Sequence, residues 1–228
     1  MSLRSLPLLI FLIPAIAANL AWWLSTHLGL VPACNVYLEG CISISAAGRY
    51  EPVLFMFRGA IIPLAVLTVL FWRLACVWLQ ALGETSRTRL VMIELIGLVA
   101  GVFLVLYALF LGTEGDAYRL LRRYGVTVFF AFTYLAQLLV TGAIWARMRA
   151  GERWLPRWLA NALLGVCVAM LIGGLASLPA AEWAMDRSAM NNIIEWNLSG
   201  VMMSWFILMW IAWRRTGFRA DFSARASG

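Results

Sequence analysis

The sequence contains no lysine, a single histidine and little charge of either sign. All eighteen basic residues in the 228-residue chain are arginine, and only 13% of the residues are charged. An average soluble domain has about 25% charged residues. With 63% hydrophobic residues, a chain of this size cannot hide its apolar surface in one small core. Lipid is the natural solvent for such a surface, so we expect an integral membrane protein.

The sequence also lacks the short motifs that mark common enzymes. It has no Walker loop, dinucleotide-binding glycine pattern, G-x-S-x-G, H-E-x-x-H or EF-hand loop. It has no C-x-x-C pair or histidine-rich tract, so we predict neither a metal site nor a cofactor. The net charge is +7, but the arginines lie between apolar runs as membrane-flanking charges do. Nucleic acid is therefore not an expected partner.

Six apolar runs approach the length of about 20 residues that a helix needs to cross a bilayer. The predicted fold is all-α, a six-helix transmembrane bundle that occupies residues 1–228 as one domain. Its helices are expected at about residues 6–30, 53–79, 90–111, 124–145, 159–178 and 192–213. The first run is too long for the apolar part of a signal peptide and favours an uncleaved helix. In the third run, Gly97 and Gly101 predict close approach of a neighbouring helix.

The arginines between the runs predict the orientation of the bundle, because basic residues concentrate on the cytoplasmic side. Twelve flank one side: Arg4, Arg73, Arg87, Arg89, Arg147, Arg149, Arg153, Arg157, Arg214, Arg215, Arg219 and Arg225. Five flank the other: Arg49, Arg119, Arg122, Arg123 and Arg187. We expect both termini in the cytoplasm of a bacterium and residues 31–52 outside its inner (plasma) membrane. On that oxidising side Cys34 and Cys41 can form a disulfide.

Three charged residues fall inside or near the expected spans, where a charge costs about 2.5–3.5 kcal/mol. Arg58 and Glu195 lie near the outer ends of their helices. They can form either a structural ion pair or a polar pocket in which Arg58 holds a lipid phosphate. Glu94 lies near a cytoplasmic helix end, where it can pair with Arg73 or Arg89 or act as a proton relay.

Four further polar residues are weak candidates for chemistry or binding. His27, the only histidine, can act as a general acid or base near neutral pH. Ser43 and Ser45 are candidate nucleophiles only because they lie in the same loop region. Asn191 shares a helix face with Glu195 at i, i+4 spacing, which suits either helix contact or a ligand site.

The segment that begins Cys34-x-x-Tyr37-Leu38 continues as Ser43-Ile44-Ser45-Ala46-Ala47-Gly48 and reaches Pro52 and Arg58. This pattern resembles the signature loop of the DRAM/Sfk family of six-helix membrane proteins, which includes the GPI-anchor lipid-remodelling factor. Ile93-Glu94-Leu95 and Ile194-Glu195-Trp196 are similar to that family as well. The resemblance implies a protein that acts on or senses lipids or lipid anchors. It implies roles for Ser43, Ser45, Gly48, Arg58, Glu94 and Glu195.

Two loop residues have expected backbone roles. Gly48 is expected in a turn that needs a positive φ angle, which glycine adopts without steric cost. Pro52 is expected to start the second helix, where its missing N–H costs little.

Three functions remain open at this point. The leading hypothesis is a non-catalytic protein that binds, senses or helps remodel lipids or lipid anchors at the outer leaflet, alone or as a homo- or hetero-oligomer through its helices. The second is an intramembrane acyl hydrolase or transferase, which requires His27, Ser43 or Ser45, and Glu195 to converge within hydrogen-bond reach. The third is a small transporter, which requires a polar path from Glu195 to Glu94.

Overall fold

The computed structural model describes residues 3–152 and 154–219. Those residues form seven α-helices and no strand, which confirms the all-helical prediction. Six helices are long and apolar enough to cross a membrane. They are α1 (Leu6–His27), α3 (Val53–Ala81), α4 (Arg87–Phe110), α5 (Asp116–Arg149), α6 (Arg157–Trp183) and α7 (Arg187–Arg215), and the short α2 is Ile44–Ala47. Arg153 and Arg225, which the orientation count includes, lie outside the described residues.

The helix ends differ from those predicted from apolar runs. α1 stops at His27, three residues before the expected end. α5 begins at Asp116 instead of residue 124, so the arginines expected in a loop lie in its first turns. α7 begins at Arg187, where the Asp186 carboxylate accepts hydrogen bonds from two backbone N–H groups of the first turn. Polar caps of this kind start a helix before its apolar stretch begins, so hydropathy alone places the start too late.

Neighbouring long helices along the chain pack in a closed ring. α1 packs on α3, α3 on α4, α4 on α5, α5 on α6 and α6 on α7, and α7 returns to α1. The expected close approach at Gly97 and Gly101 is confirmed on the α3–α4 contact. A Cβ atom would lie 2.3 Å from the Trp72 ring at Gly97 and 2.3 Å from Val69 at Gly101. Only glycine permits this separation of the two helices.

The bundle has two distinct ends. Because six long helices alternate in direction, both described ends of the chain lie at the same end, which we call the termini end. There the Arg4 Nε atom donates a 2.8 Å hydrogen bond to the Phe218 carbonyl. The opposite end carries the loop of residues 28–52, in which a disulfide joins Cys34 to Cys41. We call this loop the disulfide loop and this end of the bundle the disulfide end.

Aromatic side chains fill the half of the bundle nearest the termini end. Phe71 and Trp72 of α3 meet Trp205, Phe206 and Trp213 of α7, and all five are fully buried. The Phe71 ring stacks on Trp213 at 5.3 Å, and Trp72 lies 5.9 Å from Trp205 between ring centroids. We call these five residues the aromatic cluster. It joins α3 to α7 through large side chains and blocks the interior at that level.

The outward faces of the long helices are apolar. Large aliphatic side chains such as Ile16, Val66, Leu95, Leu171 and Leu175 are exposed on several different helices. Soluble monomers rarely expose continuous apolar surface on this scale. The six apolar helices are compatible with an integral membrane protein.

Candidate functional site

A cavity of about 410 Å³ extends from the disulfide loop into the bundle, past the middle of α7 as far as Ile207. α1, α3, α4, α5 and α7 supply its walls, so no single helix defines it. Apolar side chains make up most of the lining, including Phe57, Ile61, Leu104, Phe129 and Met203. Small-molecule sites typically measure about 300–1,000 Å³ and combine apolar walls with a few polar groups.

Glu195 brings a carboxylate to the wall of this cavity. The carboxylate accepts hydrogen bonds from the backbone N–H groups of Ile44 and Ser45, at the start of α2. The first N–H groups of a helix have no partner within the helix, which explains why an acceptor from α7 is needed there. A carboxyl group has more acceptor positions than these two bonds use, so Glu195 retains capacity for a ligand donor.

Tyr107 of α4 joins the same group of polar atoms. Its side chain is hydrogen-bonded to the side chain of Ser45 and lies within electrostatic range of Glu195. Tyr107 is 5% exposed and also lines the cavity. We call Glu195 and Tyr107, which line the cavity, and Ser45, which contacts both but does not line it, the polar end of the cavity. They come from α7, α4 and α2, so helix packing alone brings them together.

Ser43 has a local structural role. Its hydroxyl oxygen accepts a 3.1 Å hydrogen bond from the Ala46 N–H and so caps the start of α2. It also lies 3.4 Å from the Ser45 hydroxyl oxygen. Ser43 therefore orders the short helix that presents Ser45.

A second polar pair lies on the cavity wall between α1 and the disulfide loop. The Tyr37 hydroxyl donates to the Asn19 side-chain oxygen over 2.9 Å. Both residues line the cavity. Tyr37 belongs to the Cys34-x-x-Tyr37-Leu38 motif, but neither it nor Asn19 or Tyr107 was a predicted site residue. A polar group within an apolar run was the available signal for Asn19 and Tyr107.

Hydrogen bonds join the disulfide loop to α7 next to the cavity. Three α7 side chains each donate a hydrogen bond to a loop carbonyl. The pairs are Asn192 with Gly40 at 2.8 Å, Trp196 with Ile42 at 2.9 Å and Asn197 with Tyr37 at 3.0 Å. From α1, the buried Ser25 hydroxyl donates to the Ala47 carbonyl over 2.7 Å. These bonds hold α2, with its Ser45 and the capping Ser43, in place.

The residues proposed for acyl chemistry do not all converge. His27 is exposed, its ring stacks on Trp23 at 5.5 Å, and it is not part of the cavity wall. Ser45 and Glu195 do meet, but the carboxylate contacts the backbone N–H of Ser45. The Ser45 side chain bonds instead to Tyr107. Asn191, expected to share a face with Glu195, is exposed.

Arg58 does not form the suggested ion pair with Glu195. Its guanidinium donates to the carbonyl of Ala108 over 3.0 Å and to those of Leu109 over 2.9 Å and Leu111. The last carbonyls of a helix lack internal partners and carry partial negative charge, so a cation from α3 satisfies them. Arg58 therefore caps the end of α4.

Glu94 forms a salt bridge with Arg73, one of its two suggested partners. The other, Arg89, pairs with Glu84 at 2.6 Å. The Arg73 side chain is 64% exposed, so this is a peripheral contact between α3 and α4 at the termini end.

The expected positive φ angle at Gly48 is wrong, because its φ is −92°. Glycine is needed there for space, since a Cβ atom would lie 2.8 Å from the Phe57 ring. The positive φ occurs at Gly40, whose φ is +64° and where a Cβ atom would lie 2.1 Å from the Ala189 carbonyl oxygen. Pro52, as expected, directly precedes α3.

In the part of the chain that the structure describes, no group of three or more histidine, cysteine, aspartate or glutamate residues is arranged to hold a metal ion. The polar end of the cavity offers hydrogen-bond donors and acceptors to a ligand. Comparisons with protein-family models, curated proteins and solved structures gave no significant match, so the likeness to the DRAM/Sfk family rests on the short motifs of residues 34–58, 93–95 and 194–196.

Proposed function

We propose that this chain is a non-catalytic integral protein of the plasma membrane that binds a lipid, or the lipid part of an anchored molecule, at the outer leaflet. An acyl chain occupies the cavity, and the polar part of the lipid meets Glu195 and Tyr107. The amphipathic cavity carries this proposal, because its apolar walls and single polar end match the two halves of a lipid. Glu195 suits a hydroxyl or ammonium donor.

The distribution of arginine supports the orientation, with both termini in the cytoplasm. At the termini end the described arginines are Arg4, Arg73, Arg87, Arg89, Arg147, Arg149, Arg157, Arg214, Arg215 and Arg219. The disulfide end has fewer: Arg49, Arg58, Arg119, Arg122, Arg123 and Arg187. Cytoplasmic connections carry the excess of basic residues. A disulfide at the other end suits an oxidising exterior.

The arrangement of the interior favours lipid binding over the other two functions. The five residues of the aromatic cluster are fully buried and apolar where α3 meets α7, so the interior there does not favour a polar transport path. An acyl hydrolase or transferase needs a general base beside its nucleophile. Among the described residues, no base contacts the Ser45 hydroxyl. The resemblance of the disulfide loop to the DRAM/Sfk family adds support for a lipid or lipid-anchored ligand.

A substitution that fills the cavity tests the proposal. Ser204 lines the cavity, and its hydroxyl donates only to its own helix at the Val201 carbonyl, 2.7 Å away. Ser204→Leu therefore places a larger side chain in the cavity and reduces its free volume, without removing a contact between helices. Ser177→Leu is the matched control, because Ser177 makes the same 2.7 Å bond to the Gly174 carbonyl of α6, away from the cavity.

Native mass spectrometry of the purified protein measures lipid retention, and a titration with 1-oleoylglycerol measures binding of an acyl chain with a neutral headgroup. We expect the unsubstituted protein and Ser177→Leu to retain lipid and bind 1-oleoylglycerol. We expect Ser204→Leu to lose about ten-fold or more in affinity, the equivalent of about 1.4 kcal/mol. Equal binding by both variants would refute the cavity as the lipid site.

A further inference from the structure

A second pocket, of about 460 Å³, lies at the disulfide end beside the polar end of the cavity. Its walls come from Arg49 and Tyr50 of the disulfide loop, from the turn at residues 112–115 and from the first turns of α5. Arg119 and Arg122 project from those turns into the lining. We call this the arginine pocket.

Two of its arginines have no counter-charge. Arg119 forms a salt bridge with Asp116. Within residues 3–152 and 154–219, neither Arg49 nor Arg122 forms one, although Glu114 also lines the pocket. Arg49 and Arg122 lie close enough for their charges to repel each other.

The guanidinium of Arg49 has a further unmet requirement. Its Nε atom is buried and has no hydrogen-bond partner. A buried donor without an acceptor costs about 1–3 kcal/mol, and the penalty is larger for a charged group. Two neighbouring cations, one with a buried free donor, would be stabilised by an anion between them. Guanidinium groups match the oxygen geometry of phosphate in particular.

Tyr107 lies between the arginine pocket and the cavity. Its hydroxyl is hydrogen-bonded to the Ser45 side chain and lies within electrostatic range of Glu195, Arg122 and Arg49. A phosphate at Arg49 and Arg122 would thus lie next to the polar end of the cavity. Arg58, the arginine first expected to bind phosphate, already donates to the α4 carbonyls.

We propose that Arg49 and Arg122 bind a phosphate group, and that the ligand of the cavity is a phosphate-bearing lipid. The phosphate lies in the arginine pocket while the acyl chain occupies the cavity. The lipid identity of the ligand rests on the proposed function. The phosphate site itself rests on the two unpaired guanidinium groups and can be tested separately.

Two probes that differ only in the phosphate isolate its contribution: 1-oleoyl lysophosphatidate and 1-oleoylglycerol. Native mass spectrometry titrations compare their affinities for the full-length protein in a non-ionic detergent. We expect the unsubstituted protein to prefer lysophosphatidate by about ten-fold or more, since bonds to charged groups are worth about that ratio each. Arg122→Gln and, independently, Arg49→Gln should bring the affinity for lysophosphatidate down to that for 1-oleoylglycerol. Arg123→Gln, a change of the neighbouring exposed arginine, should leave the preference intact.

Ser204→Leu and inorganic phosphate separate the two proposals. Ser204→Leu should weaken both lipids, because it obstructs the acyl chain. A second outcome is that no lipid binds, but inorganic phosphate raises the melting temperature more than chloride does at equal ionic strength, and does so only when Arg122 is present. In that case the phosphate site is supported and the proposed lipid function is refuted. A lipid preference that survives both Arg122→Gln and Arg49→Gln overturns the phosphate site. So does the absence of any response to either form of phosphate in the unsubstituted protein.

Discussion

The indole Nε1 of Trp196 donates a 2.9 Å hydrogen bond to the carbonyl oxygen of Ile42, and this bond ties α7 to the disulfide loop. The Trp196 side chain is only 2% exposed, so water cannot replace the bond. The next residue along the helix toward its start is Glu195, whose carboxylate caps α2. One turn of α7 thus holds the loop and also supplies the carboxyl group of the polar end of the cavity.

Trp196→Phe should loosen the loop, because phenylalanine keeps an aromatic ring but lacks the indole N–H and is smaller than tryptophan. The Ile42 carbonyl would lose its donor while buried, at a cost of about 1–3 kcal/mol. Hydrogen exchange should rise in residues 34–43, and the midpoint of thermal unfolding should fall. Trp183→Phe is the control, since that ring is 84% exposed. Equal protection of the loop in both variants would show that the bond contributes little.

The four cysteines should fall into two chemical classes. Cys34 and Cys41 are bonded to each other, whereas Cys76 and Cys167 are free and buried. Protein unfolded in denaturant without a reductant should take up alkylating reagent only at Cys76 and Cys167, and all four sites should react after reduction. Intact-mass measurement with peptide mapping distinguishes these results. Alkylation at all four sites before reduction would contradict the disulfide and remove its support for the outward orientation of the loop.

Glu84, in the turn between α3 and α4, should make stability depend on pH. Burial disfavours its charge, but hydrogen bonds from the Ser86 N–H and the Arg89 guanidinium outweigh burial and, with the charges of Arg89 and Arg147, lower the pKa of this carboxyl. A carboxyl with a lowered pKa in the folded state stabilises the protein at pH values above its ordinary pKa. That stabilisation is lost as the pH falls through the lowered value.

Glu84→Gln should therefore reduce the free energy of unfolding by about 1–3 kcal/mol at pH 7, and the difference should narrow below about pH 4. Thermal unfolding of the detergent-solubilised protein across this range measures both effects. Glu39→Gln, at an exposed loop position, serves as the control. A constant difference between Glu84→Gln and the parent at every pH would rule out ionisation as the cause.

Gly48→Ala should be destabilising for steric reasons. A Cβ atom at Gly48 would lie 2.8 Å from the Phe57 ring, which is itself buried. Overpacking of this kind costs about 1–3 kcal/mol. Gly59→Ala is the matched control in α3, because no atom lies within 4 Å of its Cβ position. That change should be neutral or stabilising by about 0.5–1 kcal/mol. Similar melting temperatures for the two variants would disprove the proposed contact.

Local chemistry in the sequence was sufficient to predict the number and type of the long helices. Each apolar run can satisfy its backbone hydrogen bonds only by forming a helix if lipid surrounds it. Two contacts between α3 and α4 could also be predicted, because they involve adjacent helices and short-range spacing: the close approach at Gly97 and Gly101, and the pairing of Glu94 with Arg73. The start of α5 could not be predicted, because its first turns are polar and hydropathy does not mark them.

Tertiary structure alone decided where the polar groups meet. Glu195, Ser45 and Tyr107 come from three helices separated by long stretches of chain, and no spacing along one helix connects them. The partner of Arg58 could not be predicted from the sequence for the same reason. The last carbonyls of α4 lack partners within that helix, so Arg58 donates to them and makes no ion pair with Glu195. Periodicity describes one helix at a time, whereas a cavity and its charges depend on which faces of several helices pack together.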